Sequence, residues 1–83
     1  MNLVIDIGNT AVKVYLLKNN EVIQREVLNE NNLIHSLKSF PINDIRNVIC
    51  SSVTKSYKDQ LSEIFKKSNY CDFSDTNLSL IHI

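Results

Sequence analysis

Asn2-Leu3-Val4-Ile5-Asp6-Ile7-Gly8-Asn9-Thr10-Ala11-Val12-Lys13 contains the single glycine of this 83-residue chain. Leu3, Ile5 and Ile7 alternate with Val4 and Asp6, so a strand over Leu3–Ile7 can bury the first set and carry Asp6 on its other face. Gly8-Asn9 is a hairpin-type dipeptide, and the chain then extends again. From Val12 to Leu17, the residues Val12, Val14 and Leu16 fall on one face, while Ala11, Lys13, Tyr15 and Leu17 fall on the other. Asn19-Asn20 supplies the next turn, because Asn tolerates the left-handed backbone that tight hairpins require. Glu21–Leu28 then reads as a third strand, so three antiparallel strands open the chain.

Beyond them the period changes. Leu33, Ile34, Leu37 and Phe40 recur at helical spacing within Asn31–Phe40, and Pro41 ends that helix because proline disfavours helix at the preceding residue. Asn47–Val53 is again extended and β-branched. Thr54 is placed to cap a second helix whose Tyr57, Leu61, Ile64 and Phe65 share one face, with Lys66 and Lys67 at its negative C-terminal end. Tyr70–Phe73 fits a last short strand, and Ser74–Ile83 has no recognisable stop. The order strand, strand, strand, helix, strand, helix, strand predicts an α/β domain with a mixed sheet and helices on its faces. It is the order of the ribonuclease-H-like lobe of actin-like ATPases.

Composition narrows the function classes. Nine basic residues balance nine acidic ones, which leaves no electrostatic footprint for nucleic acid or an anionic membrane. No apolar stretch approaches the ~20 residues that span a bilayer, and the N-terminus lacks a secretory signal, so a cytoplasmic protein is expected. Cys50 and Cys71 have no zinc-type spacing and are expected to be reduced, packed thiols. His35 and His82 also lie in no ligand spacing. The aromatic residues Tyr15, Phe40, Tyr57, Phe65, Tyr70 and Phe73 read as packing groups rather than a base-stacking platform.

The chemistry-bearing residues concentrate at the first bend. A phosphate site needs donors that reach phosphate oxygens, a cationic group, and a carboxylate that holds a divalent cation directly or through water. Asp6 to Lys13 offers all three: Gly8 lets backbone approach a phosphate, Asn9 and Thr10 can form an anion-binding concavity, and Lys13 adds positive charge. On pattern alone the same bend also fits a plain hairpin turn with Asp6 or Thr10 bonded locally to backbone. Ser51-Ser52-Val53 has a similar double reading, as hydroxyls facing a ligand at the sheet's carboxyl edge or as helix-capping groups.

The opening Asn2 to Thr10 with Lys13, followed by Ser51-Ser52-Val53 at corresponding depth, resembles type III pantothenate kinases, the family also labelled Bvg accessory factors. The resemblance implies an N-terminal, partial ATP-phosphate-binding lobe over residues 1–83, from an actin-like enzyme that transfers the γ-phosphoryl of ATP to pantothenate in the first step of coenzyme A biosynthesis. It implies ATP-binding roles for Asp6, Ile7, Gly8, Asn9, Thr10, Ala11, Val12 and Lys13, with Asp6 also placing the metal and Ser51 and Ser52 at the edge of the active site. Mg²⁺ or another divalent cation, a monovalent cation such as K⁺ or NH4⁺, and a homodimer come with the family. Position 11 is Ala where many members carry a basic residue, and Thr54 stands where proline or an apolar residue is common. The Gly-x-Asp-Arg segment that carries the family's catalytic aspartate does not occur in the 83 residues, so these residues alone are expected to be inactive. Two other readings use the same features: a non-catalytic actin-like half-domain acting as a binding module, and part of a sugar or acetate kinase.

Overall fold

A computed structural model describes residues 1–52 and 57–74, the last two by backbone alone. The strands are β1 (Asn2–Ile7), β2 (Val12–Lys18), β3 (Glu21–Leu28), β4 (Asn47–Ser52) and β5 (Asn69–Ser74), and the helices are α1 (Leu33–Leu37) and α2 (Lys58–Ile64). They form one five-stranded sheet in the order β3-β2-β1-β4-β5. β1 pairs antiparallel with β2 and parallel with β4, while β5 continues the parallel side. The predicted mixed sheet is therefore present, with β1 at its centre.

Period-two patterning explains how the sheet is sided. Leu3, Ile5 and Ile7 on β1, Val12, Val14 and Leu16 on β2, and Val48 and Cys50 on β4 are buried. They join Leu33, Leu37, Phe40, Ile45, Tyr57, Leu61 and Phe65 in one apolar cluster, so both helices cover this inner face. Asn2, Val4 and Asp6 occupy the outer face and are half-buried. On that face the Arg25 guanidinium stacks over the Tyr15 ring, 5.7 Å from its centroid, a weak cation–π contact.

The turns follow local chemistry. Asn19 and Asn20 adopt φ of 53° and 66°, the left-handed pair of a two-residue hairpin whose twist suits the flanking strands. Pairing then runs from Leu17 opposite Val22 to Leu16 opposite Gln24, so Ile23 is the extra residue of a bulge.

Helix lengths differ from the sequence reading. Residues Glu30–Asn32 form a 3-10 turn and α1 proper is only Leu33–Leu37. Asn31 and Asn32 favour turns, and the Ser39 hydroxyl donates to the Ser36 carbonyl at 2.7 Å, ending the helix before Phe40. Phe40 is still buried, reached through a turn rather than a third helical turn. A further 3-10 turn over Ile42–Asp44 had no sequence signal. α2 ends at Ile64, with Phe65 at its C-cap, so Lys66 and Lys67 follow the helix rather than occupy its last turn. Val53, the Thr54 cap, His82 and residues 75–83 lie outside the described residues. No helix among those described is long and apolar enough to cross a membrane.

At the amino ends of the parallel strands, three asparagines in register form a ladder. Asn47 Nδ2 donates to Asn2 Oδ1 at 2.9 Å, and Asn69 Nδ2 donates to Asn47 Oδ1 at 3.2 Å. The Met1 ammonium donates to the Asp44 carbonyl at 3.0 Å, and the Arg46 amide donates to the Met1 carbonyl at 2.8 Å, which fastens the first residue to the loop before β4. Asn47→Ala removes both ladder bonds, but Asn2 and Asn69 retain access to water. The expected loss is about 1 kcal/mol, seen as a lower urea midpoint at unchanged m-value.

Candidate functional site

Asp6 lies near the carboxyl end of β1, opposite Lys13 on β2 and Ser51 on β4. Residues opposed in register share a face, and neighbouring strands are about 4.8 Å apart. A cation, a carboxylate and a hydroxyl therefore form a row across three strands on the outer face. One step along, Ile7 is opposed by Val12 and Ser52, and Ser52 by Ser74 of β5. Parallel pairing of β1, β4 and β5 thus gathers the Gly8–Ala11 bend and both serines at one edge.

The bend is closed by the Gly8 amide donating to the Ala11 carbonyl at 3.0 Å. Gly8 does not use a left-handed φ. Its contribution is space: a Cβ there would sit 3.3 Å from the Ala11 oxygen. Asn9 and Thr10 are exposed at the tip. Among the described residues, Asp6, Asn9 and Thr10 form no side-chain hydrogen bond, so the local bonding expected of a self-contained hairpin turn is not made. Ile7 and Val12 are completely buried, and what they can offer a ligand is backbone and a rigid base for the bend.

The two serines differ in ways their adjacency in sequence conceals. Ser52 lies on the inner face beside Ile7 and is engaged within the chain. Ser51 lies on the outer face beside Asp6 and is only 4% exposed. The pleat parity of β4 could have separated them, given the parallel register with β1.

Cys50 and Cys71 also part company. Cys50 is fully buried, but Cys71 is exposed on edge strand β5, which corrects the expectation that both are packed. Burial pushes the Cys50 thiol up to about 11; the Tyr70 hydroxyl opposes this, and the Asp72 and Asp6 carboxylates add to it. Burial likewise raises the Tyr70 phenol, and the neighbouring Cys50 and Asp72 add to the rise. Cys50 is thus held as a neutral thiol, unsuited to nucleophilic or metal-ligand work.

A thiol-reactive maleimide at neutral pH should modify Cys71 within minutes and Cys50 only on unfolding, as read by mass spectrometry. The pH effect has a definite sign, since unfolded Cys50 ionises above about 8.5 while the folded thiol resists up to about 11. Its stabilising contribution is complete below the lower value and is lost as pH rises through the higher one, so the thermal midpoint of a Cys71→Ser chain should fall over that interval.

His35 is exposed and joins no ligand group. No cluster of three or more His, Cys, Asp or Glu residues that could cage a metal occurs among the described residues. The outer row still fits a Mg²⁺ ion held through water, because Asp6 and Ser51 present hard oxygen donors and Mg²⁺ commonly takes only one or two protein carboxylates beside substrate phosphates. Sequence reading missed the Lys13–Asp6–Ser51 row, the asparagine ladder, and the contact in which the Tyr57 hydroxyl donates to the Glu30 carboxylate.

No protein-family model and no curated protein matches the chain. Among solved structures it is similar to a Porphyromonas gingivalis protein provisionally assigned as an N-acetylglucosamine kinase, with a TM-score of 0.68 at 15% identity over 89% of this chain. At this identity the likeness is one of fold: the five-stranded sheet and its helices match part of that protein. The chain spans about a third of that protein's length, 34%. The ribonuclease-H-like strand order anticipated from sequence thus agrees with the sheet.

Proposed function

We propose that this chain is the N-terminal, ATP-phosphate-binding part of a type III pantothenate kinase. The observation that carries the reading is the placing of Asp6 between Lys13 and Ser51 at the carboxyl edge, beside a bend whose polar side chains are unengaged. Ligands of open α/β sheets collect at that edge. In this reading the Gly8 backbone and the amides of Asn9 and Thr10 face phosphate oxygens, and Lys13 offsets their charge. Ile7, Ala11 and Val12 hold the bend in place. Asp6 accepts hydrogen bonds from water around the cation, with Ser51 beside it and Ser52 fixing the end of β4. Bound Mg²⁺ would supply neutralisation of phosphate charge as the γ-phosphoryl group departs.

Pantothenate as acceptor, the monovalent cation, a homodimer and a cytoplasmic location belong to the same reading and rest on the motif resemblance. The acceptor's general base is assigned to the family's Gly-x-Asp-Arg segment, so no residue described here is given that role. A second reading, a sugar kinase of the same fold, is favoured by the assignment of the structural neighbour. Incubating the protein that carries this chain with γ-labelled ATP, Mg²⁺ and K⁺ separates the two. Label on pantothenate supports the first, label on N-acetylglucosamine supports the second, and label on neither contradicts both.

A further inference from the structure

We infer that Ser51, and not Ser52, is the serine that reaches the bound nucleotide, by holding the water shell of its divalent cation together with Asp6. The inference rests on the reading of this edge as a Mg·ATP phosphate site and adds a positioning residue to it. Parallel register sets Ser51 against Asp6 and Ser52 against Ile7, so the pleat sends the two hydroxyls to opposite faces. Ile7 belongs to the apolar cluster, and Ser52 is already engaged within the chain. Ser51 is 4% exposed and lies on the same face as Asp6, in register with it. A hydroxyl on the same face as a carboxylate, one strand away, can join it around one added ligand.

The chemistry of that partner follows from the row. Asp6 can only accept hydrogen bonds when ionised, and the Ser51 hydroxyl can accept or donate. Two oxygen groups one strand spacing apart, about 4.8 Å, can each take a hydrogen bond from a different water on one octahedral Mg²⁺, an ion that dehydrates reluctantly. Lys13 stands on the far side of Asp6, where it can meet phosphate without facing the cation directly. The hydroxyl therefore serves the cation, and the lysine serves the phosphate.

The test is calorimetric titration of the 83-residue chain with ATP, with and without Mg²⁺, for the parent, Ser51→Ala, Ser51→Thr and Ser52→Ala, each checked for folding by far-UV circular dichroism. Ser51→Ala is expected to weaken Mg·ATP binding about 10-fold, with metal-free ATP binding unchanged. Ser51→Thr keeps the hydroxyl and should stay within about threefold of the parent, while Ser52→Ala should match the parent in affinity if folded. Equal affinity of Ser51→Ala and parent for Mg·ATP would overturn the inference and leave the phosphate site standing. Equal weakening with and without Mg²⁺ would move the hydroxyl to the phosphate and overturn its cation role. If the folded parent fails to bind Mg·ATP, the phosphate-site reading falls and the inference with it.

Discussion

Asp6→Asn is expected to weaken Mg·ATP binding by about 10- to 100-fold, the usual effect of losing an outer-shell metal partner, while leaving the fold intact. Asn keeps the size of the side chain but removes the negative charge and one acceptor. Asp6 is half-buried on the outer face and makes no side-chain hydrogen bond among the described residues. The folded structure therefore has little to lose, and stability should change by no more than about 0.5 kcal/mol. Lost binding with an unchanged unfolding midpoint is the signature of a residue kept for a ligand. Calorimetric titration and urea unfolding of the same preparation read the two quantities. A large stability loss would place Asp6 in the architecture instead.

Phe65→Ala should have the opposite profile, with most of its effect on folding. Phe65 is fully buried at the C-cap of α2 and belongs to the single apolar cluster shared by sheet and helices. Truncating a buried phenylalanine costs about 3–5 kcal/mol through lost transfer free energy and the cavity left behind. A domain of this size has roughly 4–12 kcal/mol in total. The variant should therefore be partly or wholly unfolded at 37 °C. Val22→Ala is the control: that side chain is 54% exposed on β3, and its replacement should cost about 0.5 kcal/mol or less. Urea titrations followed by far-UV circular dichroism compare the two, and similar midpoints would contradict the account of the core.

The parts of the fold that depend on neighbouring residues are legible in the sequence. Alternation along Leu3–Ile7 and Val12–Leu17 gives the sided strands, and Asn19-Asn20 gives a turn whose φ values require left-handed backbone. Helix ends are less legible because Leu33, Leu37 and Phe40 keep a helical period after the helix has stopped. The core accepts Phe40 from a turn as readily as from a helix, and apolar spacing does not record the difference. Cys71 was misread for a related reason. The absence of a zinc-type spacing says nothing of burial, and the pleat of an edge strand carries Cys71 to the outer face, in register with Ile49 and Val4.

The candidate site divides in the same way. The bend from Asp6 to Lys13 is contiguous, so its donors, carboxylate and lysine can be recognised together. The meeting of Asp6 with Ser51 depends on β1 pairing parallel with β4 across the intervening β2, β3 and α1. Non-local pairing sets that register, and a one-residue slip would have exchanged the faces of Ser51 and Ser52. Sequence brings both serines to the edge, and three-dimensional pairing selects between them.

The most direct test is a pair of proton–nitrogen correlation spectra of the labelled 83-residue chain, recorded with and without Mg·ATP. The predicted shifts centre on the amides of Gly8, Asn9, Thr10, Lys13 and Ser51 at the carboxyl edge. The other end of the sheet carries a groove of about 550 Å³ lined by residues including Asn2, Asn47 and Asn69, and those amides should stay in place. Shifts confined to the asparagine end, or none at saturating Mg·ATP, would contradict the assignment of the Asp6 edge as the phosphate site.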